Sequence, residues 1–507
     1  MLSETFPKDL QNPVNLIAQL QKQPEKYWQE RGFLMAKDLF WQKTQRVPAY
    51  KKFLAGRNIN LKLPDTVSDF DKIPPVDKDN YLRKYKRSDL CWDGNFSNQH
   101  WVISTTSGST GKPYYFPRQD FQDQQYAVTA ELYLRTNFEI HKKSTLYIVA
   151  FPMGAWIGGL FTYQALKNLS KRGDYRLSII TPGISTADVL NALQNLGKDF
   201  DQVIIGSYAP FLKDILDEGD RLGLDWKQYN LGFVFSAEGF SEDFRDYVAK
   251  KTGIDNIFKK TLNHYGTVDM GTMSYETPLA ILVRRLALKN QNIFRRLFPK
   301  ASKLPTLTQY IPEQFYFEEV EGRLLCSSFS GLPLVRYDLK DSGGVIGLEE
   351  VKEIFLKEGI DLSNEVKLAG ISDTIWNIPF VYVYERTDFS VSFFAFQVYP
   401  ETIRKALMED KAREYTTGKF TMLVRENEQM DQVLQINIEL KKGFSESNET
   451  VKALTEEITN ILTAENSEYR KTKEMYPEKT VPEIILWPYE HENFFKRGVK
   501  QKWIKNR

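Results

Sequence analysis

The sequence predicts an α/β protein: a large amino-terminal part with parallel or mixed sheets, followed by a small α+β part. Two observations carry that expectation. Between residues 100 and 345, short apolar runs alternate with amphipathic stretches, the pattern of strands linked by helices. After about residue 385 the pattern changes to a hairpin, a helix and a further strand. The candidate buried strands are Val102–Ser104, Leu146–Ala150, Leu177–Ile180, Val203–Ile205, Gly232–Phe235 and Thr261–His264. Thr186–Leu196 and Glu242–Lys251 read as the helices between them.

The first hundred residues read as mostly helical, with apolar positions at helical spacing around Trp28, Phe33, Leu39 and Trp41. A turn-rich stretch follows, in which Asp77 is a plausible N-cap. Leu279 to Leu304 reads as an inserted helical arm, and its Arg284, Arg285, Arg295 and Arg296 as a solvated face. In the carboxy-terminal part, Pro400–Met408 opens a helix, and Phe420–Arg425 with Val433–Leu440 form a hairpin. A helix over about Ser447–Leu462 and a strand at Glu483–Trp487 complete it. The expected division is 1–385 (with a helical opening region, 1–100) and 386–507.

Of 507 residues, 42% are hydrophobic and 26% charged, which suits a globular chain with a sizeable core. Lys and Arg total 68 against 66 Asp and Glu, so nothing global points to nucleic acid. Two cysteines form no disulfide framework, and none of four histidines stands in metal-ligand spacing. No apolar leader precedes residue 30, so a cytoplasmic protein is expected. Ser144 to Leu166 is uncharged and long enough to span a bilayer, but Pro152, Gly154, Gly158 and Gly159 interrupt it. A strand, a turn and a helix explain it better than a membrane span.

The sharpest local signal is Thr105-Thr106-Ser107-Gly108-Ser109-Thr110-Gly111-Lys112-Pro113, directly after an apolar run. Glycines let backbone N–H groups approach an anion, and hydroxyls and an ammonium add donors. A polyphosphate suits such a loop; a polar surface turn is the plain alternative. It is not a Walker A loop, because Thr106 and Pro113 stand where that pattern needs Gly and Ser or Thr.

Ser107 to Pro113 resembles the phosphate loop of the adenylate-forming superfamily, which comprises acyl-CoA synthetases, adenylation domains and luciferases. The resemblance is strongest to the phenylacetate–CoA ligase branch with its capsule-biosynthesis relatives. Asp69-Phe70-Asp71-Lys72-Ile73-Pro74, followed by Asp77-Lys78, is similar to that branch's lead-in segment. Ser236-Ala237-Glu238 is similar to the segment flanking adenine. Tyr265-Gly266-Thr267-Val268-Asp269 stands for the family's Tyr-Gly-x-Thr-Glu. Gly331 to Asp341 resembles Pro-Leu-x-Arg-Tyr-x-x-Gly-Asp, with Lys340 in place of Gly. Arg386-Thr387-Asp388 resembles the hinge, with Glu385 and Phe389 departing from it. Ala395 stands where Gly lines the family's thiol tunnel.

The resemblance implies ATP, Mg²⁺ and a carboxylic acid as ligands. The acceptor it implies is coenzyme A, with a carrier-protein thiol or an amine as alternatives. It implies that Thr106, Ser107, Gly108, Ser109, Thr110, Gly111 and Lys112 cradle the phosphates. It places Ala237, Glu238, Tyr265 and Gly266 around adenine, Asp341 on the ribose, and Arg386 on ribose or phosphate. Thr267 supplies the α-phosphate contact where Val268 lacks a hydroxyl, and Asp269 holds Mg²⁺. Asp388 is the hinge, and Lys500, with Lys502 as its rival, neutralises charge building on the reacting groups. The acid pocket is expected near Tyr147–Trp156, Ser207–Phe211, Ser236–Phe240 and Tyr265–Met270, an apolar and aromatic set that favours an aryl or other apolar acid. The alternatives are an amide- or ester-forming relative and a nucleotide-binding scaffold without catalysis.

Overall fold

Every position of the apolar run Thr145–Ala150 is buried, as a strand covered on both faces requires. In the computed structural model, which describes residues 10, 12–57, 59, 62–106, 113–301, 304–386, 390–492 and 494–495, that strand is β3. The strands preceding it are β1 (Val102–Thr105) and β2 (Tyr115–Arg118). After it come β4 (Leu177–Ile180), β5 (Gln202–Ser207), β6 (Leu231–Phe235), β7 (Thr261–Thr267) and β8 (Gly271–Tyr275). Then follow β9 (Thr306–Gln309), β10 (Tyr316–Val320), β11 (Arg323–Ser328), β12 (Leu334–Ile346) and β13 (Phe380–Arg386).

Strands β3 to β13 form one sheet of 11 strands, ordered β10-β11-β12-β13-β9-β8-β7-β6-β5-β3-β4. The β4-β3-β5-β6-β7 part is parallel. The pairs β7/β8, β8/β9, β9/β13, β10/β11 and β11/β12 are antiparallel. The predicted mixed α/β fold is therefore the fold observed. One strand departs from the expectation: among the described residues, Val102–Thr105 forms a separate two-stranded ribbon with β2. Ile103 there is exposed, which a strand buried on both faces would not allow.

Local signals explain the helices. Thr186–Leu196 starts where the Ser185 side chain accepts the Asp188 N–H. Glu242–Thr252 starts at Ser241 and ends at Gly253, which takes the left-handed conformation that glycine adopts without strain. The uncharged stretch from Ser144 resolves into β3 and the helix Ile157–Ser170. Among the described residues, no helix is long and apolar enough to cross a membrane.

The basic arm is a correction. It folds as two helices, Pro278–Lys289 and Gln291–Leu297, but Arg284 is buried. Its guanidinium donates to Glu242 (2.7 Å) and to the carbonyls of Phe240 (2.6 Å) and Pro305 (2.9 Å). Arg245 completes the cluster by donating to Glu242 (3.0 Å) and Glu276 (2.8 Å). Charge spacing along one helix cannot show that an acid 42 positions away meets it.

By packing, the chain divides into two units. The first comprises 1–104, 115–207 and 215–384; the second comprises 105–114, 208–214 and 385–507. Within the second, β14 (Val391–Phe393) pairs with β15 (Phe396–Val398). A second sheet there is ordered β16 (Thr416–Glu426), β17 (Gln432–Leu440), β18 (Glu483–Trp487). Phe420, Met422, Ile436 and Ile438 are fully buried in it, and the helices Pro400–Met408 and Asn448–Glu465 belong to the same unit.

In the first unit, Arg336 of β12 donates to Glu318 of β10 at 2.9 Å. Burial pushes the Glu318 carboxyl up to about 7, although the Arg336 charge opposes it. The folded state thus holds this proton above the pH at which an unfolded chain releases it, near 4.5. That contribution to stability is complete below pH 4.5 and is lost as pH rises through about 7. Denaturant titrations of wild type should show this decline, at up to about 1.4 kcal/mol per pH unit. The decline should flatten in Glu318→Gln, and an unchanged slope would contradict the assignment.

Candidate functional site

β12 is an irregular strand, and its irregularity builds the site. Opposite β11, its register slips twice, from Cys326↔Tyr337 to Ser328↔Leu334 and from Leu325↔Asp338 to Arg323↔Ser342. The extra residues sit with Arg336 at φ +47° and Lys340 at φ +62°. Bulges of this kind twist a strand and re-aim its side chains. Lys340 stands where the resembled motif has Gly, and its left-handed backbone is the physical reason a glycine suits that position.

The segment before the first ribbon is tied to this strand. Val76 N–H donates to the Arg336 carbonyl (3.1 Å), and Asp338 N–H donates to the Val76 carbonyl (2.8 Å). The Arg336 guanidinium also donates to the carbonyls of Asp71 and Ile73. Asp77 is the expected N-cap: its carboxylate accepts from the N–H groups of Asp79 (2.9 Å) and Asn80 (2.6 Å). The Lys340 ammonium then spans Asp77 (2.7 Å) and Asp338 (3.1 Å), and Arg323 also donates to Asp338 (2.8 Å). Burial would raise the Asp77 carboxyl, but the Asn80 N–H and the Lys340 ammonium outweigh it and hold it below the usual range.

Two predicted residues, 76 positions apart, meet directly. The Tyr265 hydroxyl donates to Asp341 at 2.7 Å, and both side chains are buried. Tyr265 ends the regular part of β7, and its ring lies 6.2 Å from that of Phe317. Gly266 follows where the chain crosses β8 closely: a Cβ there would sit 2.5 Å from the Gly271 carbonyl oxygen. Thr267 Oγ1 accepts the Met270 N–H (3.2 Å), closing the turn. Asp269 is buried and accepts from the Tyr337 hydroxyl, and the Lys78 ammonium lies 3.1 Å from the same oxygen.

At the end of β6, Ala237 holds φ +76° and the Glu238 carbonyl accepts from Asn263 (2.9 Å). The parallel register sets Ala150, Ser207 and Phe235 side by side at the carboxyl ends of β3, β5 and β6, where open α/β sheets bind ligands. In the second unit, Thr106 N–H donates to the Tyr114 carbonyl and Tyr114 N–H to Thr106 Oγ1, both at 3.0 Å. These bonds clamp the base of the glycine-rich loop. Ser107, Gly108, Ser109, Thr110, Gly111, Lys112, Asp388 and Lys500 lie outside the described residues, and Arg386 is described only as the last residue of β13.

Sequence reasoning gave no role to Lys78, Tyr337 or Asp338. The first two stand inside the motifs quoted above, but their pairing with Asp269 crosses 191 and 68 positions and has no local signal.

No protein-family model and no curated protein matches the sequence. Solved structures do match. One is 2-hydroxyisobutyryl-CoA ligase with 2-HIB-AMP and CoA in the thioesterification state, with a TM-score of 0.64 and 13% identity. The match covers 96% of this chain and 91% of that one. The same ligase with 2-HIB-AMP and CoA in an open conformation matches at TM-score 0.53 and 12% identity, over 97% and 94% of the two chains. The fold is that of the adenylating ligases, a large amino-terminal domain with a smaller carboxy-terminal one.

Tyr265→Phe removes the donor to buried Asp341 and should cost about 1–3 kcal/mol of unfolding free energy in urea titrations. Gly266→Ala forces a Cβ against the β8 backbone and should lower the melting temperature further. A neutral outcome for both would mean that this turn does not hold the cluster together.

Proposed function

We propose that this chain activates a carboxylic acid with ATP and passes the acyl group to a thiol, with coenzyme A as the first candidate. The observation that carries the reading is the Tyr265–Asp341 hydrogen bond, which joins the adenine-side and ribose-side motifs in one buried cluster. In the first half-reaction a carboxylate oxygen attacks the α-phosphorus of ATP. The bond to the β-phosphate breaks, and pyrophosphate leaves with its electron pair. In the second, a thiol sulfur attacks the acyl carbon and AMP departs.

Asp341 offers two acceptor oxygens to the two ribose hydroxyls, and Tyr265 orients it. Ala237, Glu238 and Gly266 flank the base, with Arg386 on ribose or phosphate. Thr267 donates its hydroxyl hydrogen to the α-phosphate. Thr106 to Lys112 cradle the departing phosphates, and Lys500 neutralises charge in the transition state. The small domain turns about Asp388 between the two steps. Asp269 Oδ2 does not fit Mg²⁺, because it already takes both the Tyr337 hydroxyl and the Lys78 ammonium. Among the described residues, no group of three or more His, Cys, Asp or Glu is arranged to hold a metal ion.

The finer placement proposed is the phenylacetate–CoA ligase and capsule-biosynthesis branch, supported by the lead-in segment Asp69–Pro74 and the run Gly331–Asp341. An aryl or other apolar acid is the first substrate class to test. A second reading, an amine or alcohol as acceptor, is supported by Ala395. It places a Cβ at the position of the thiol-tunnel glycine, on a left-handed backbone, φ +66°.

ATP–pyrophosphate exchange should depend on an added acid. It should fall by about 10²–10³ in Lys500→Ala, the scale for losing one group that stabilises transition-state charge. Exchange at the wild-type rate would refute the lysine assignment. In Asp341→Asn the loss should appear mainly in the KM for ATP. AMP release with coenzyme A against a panel of amines separates the two acceptors.

A further inference from the structure

We propose that Lys78 is the resident counter-cation of Asp269, occupying the place where the adenylate-forming pattern uses a divalent ion. The part of this inference that concerns nucleotide rests on the ligase reading above; the pairing itself does not.

Geometry supports it from both sides. Lys78 follows the N-cap Asp77 and opens the tight turn Lys78–Leu82, whose backbone is held by Leu82 N–H to Asp77 carbonyl (3.1 Å) and Arg83 N–H to Lys78 carbonyl (2.8 Å). Val76, two residues earlier, pairs with Tyr337, so the turn cannot move independently of β12. The ammonium is thereby delivered to 3.1 Å from Asp269 Oδ2 and 5.6 Å from the centre of the buried Phe116 ring. Asp269 is itself buried, and the Tyr337 hydroxyl donates to the same oxygen.

A carboxylate in that setting needs a positive neighbour, and the ammonium is already there. Mg²⁺ demands its oxygens at about 2.0–2.1 Å in near-octahedral order. To take Oδ2, it would have to displace the tyrosine hydroxyl and approach an ammonium of like charge. Asp269 is also one methylene shorter than the glutamate of the resembled motif, which reduces its reach past Lys78. Lys78 is therefore a positioning residue: it holds Asp269 and keeps that carboxylate from repelling the nucleotide phosphates.

The test uses the full-length protein. Without nucleotide, Mn²⁺ titration followed by electron paramagnetic resonance should give the same bound-ion count for wild type and Asp269→Asn. A site present in wild type and lost in Asp269→Asn would overturn the proposal. Urea unfolding of Lys78→Met, Asp269→Asn and the double variant should be non-additive, with the double variant no less stable than the worse single one. Additive losses would overturn it. In the exchange assay, Lys78→Met should raise the KM for ATP at least tenfold with a smaller change in kcat, and Lys78→Arg should restore it. An unchanged KM in Lys78→Met would also overturn it. The first two measurements need no nucleotide, so failure of exchange alone would sink the ligase reading and leave the pairing standing.

Discussion

A carboxylate can leave water only where donors or a cation reach it, and the first unit is organised around that requirement. Asp341, Asp269, Asp338 and Glu318 are all buried along the β10–β12 end of the sheet or the turn facing it. Each is met by a donor or cation, some from far along the chain: Tyr265 on Asp341, Tyr337 and Lys78 on Asp269, Arg323 and the nearby Lys340 on Asp338, Arg336 on Glu318. Removing one member leaves the other uncompensated. Broken buried pairs are costly for that reason, even where intact ones contribute little net stability. The charges thus specify which segments meet more than they add to the stability of the fold.

Backbone strain serves the same end. Arg336, Lys340 and Ala237 hold left-handed conformations that side chains disfavour by roughly 1–2 kcal/mol each. Two of them sit at the register slips of β12, where a regular strand would send alternate side chains to opposite faces. The slips send Arg336 to the Asp71 and Ile73 carbonyls and Lys340 to Asp77, so the strand grips the preceding segment at two points. The glycine that the resembled motif has at position 340 would relieve the strain but could not make the second grip.

Much of the fold was readable residue by residue. Leu177–Ile180, Thr186–Leu196, Pro400–Met408 and Glu483–Trp487 form with the expected bounds, because period, caps and β-branched runs are local properties. Asp77 caps its turn for the same reason. The failures were non-local. Arg284 reads as a solvated residue until Glu242 and the Phe240 and Pro305 carbonyls are brought to it. Val102–Ser104 reads as a core strand until its place in a two-stranded ribbon with β2 leaves Ile103 in solvent.

By itself, the order of residues determined the mixed α/β class, most strand and helix positions, and a set of motifs that resemble those of one family. These depend on hydrogen bonds and side-chain periods spanning a few positions. Only the tertiary structure decided that Tyr265 donates to Asp341 and that the Lys78 ammonium stands beside Asp269. Those contacts close over loops of 76 and 191 positions, and chain closure over such lengths leaves no periodic trace in a sequence. Sheet order and the two slips of β12 set them, and both arise from how strands far apart in the chain come to lie side by side.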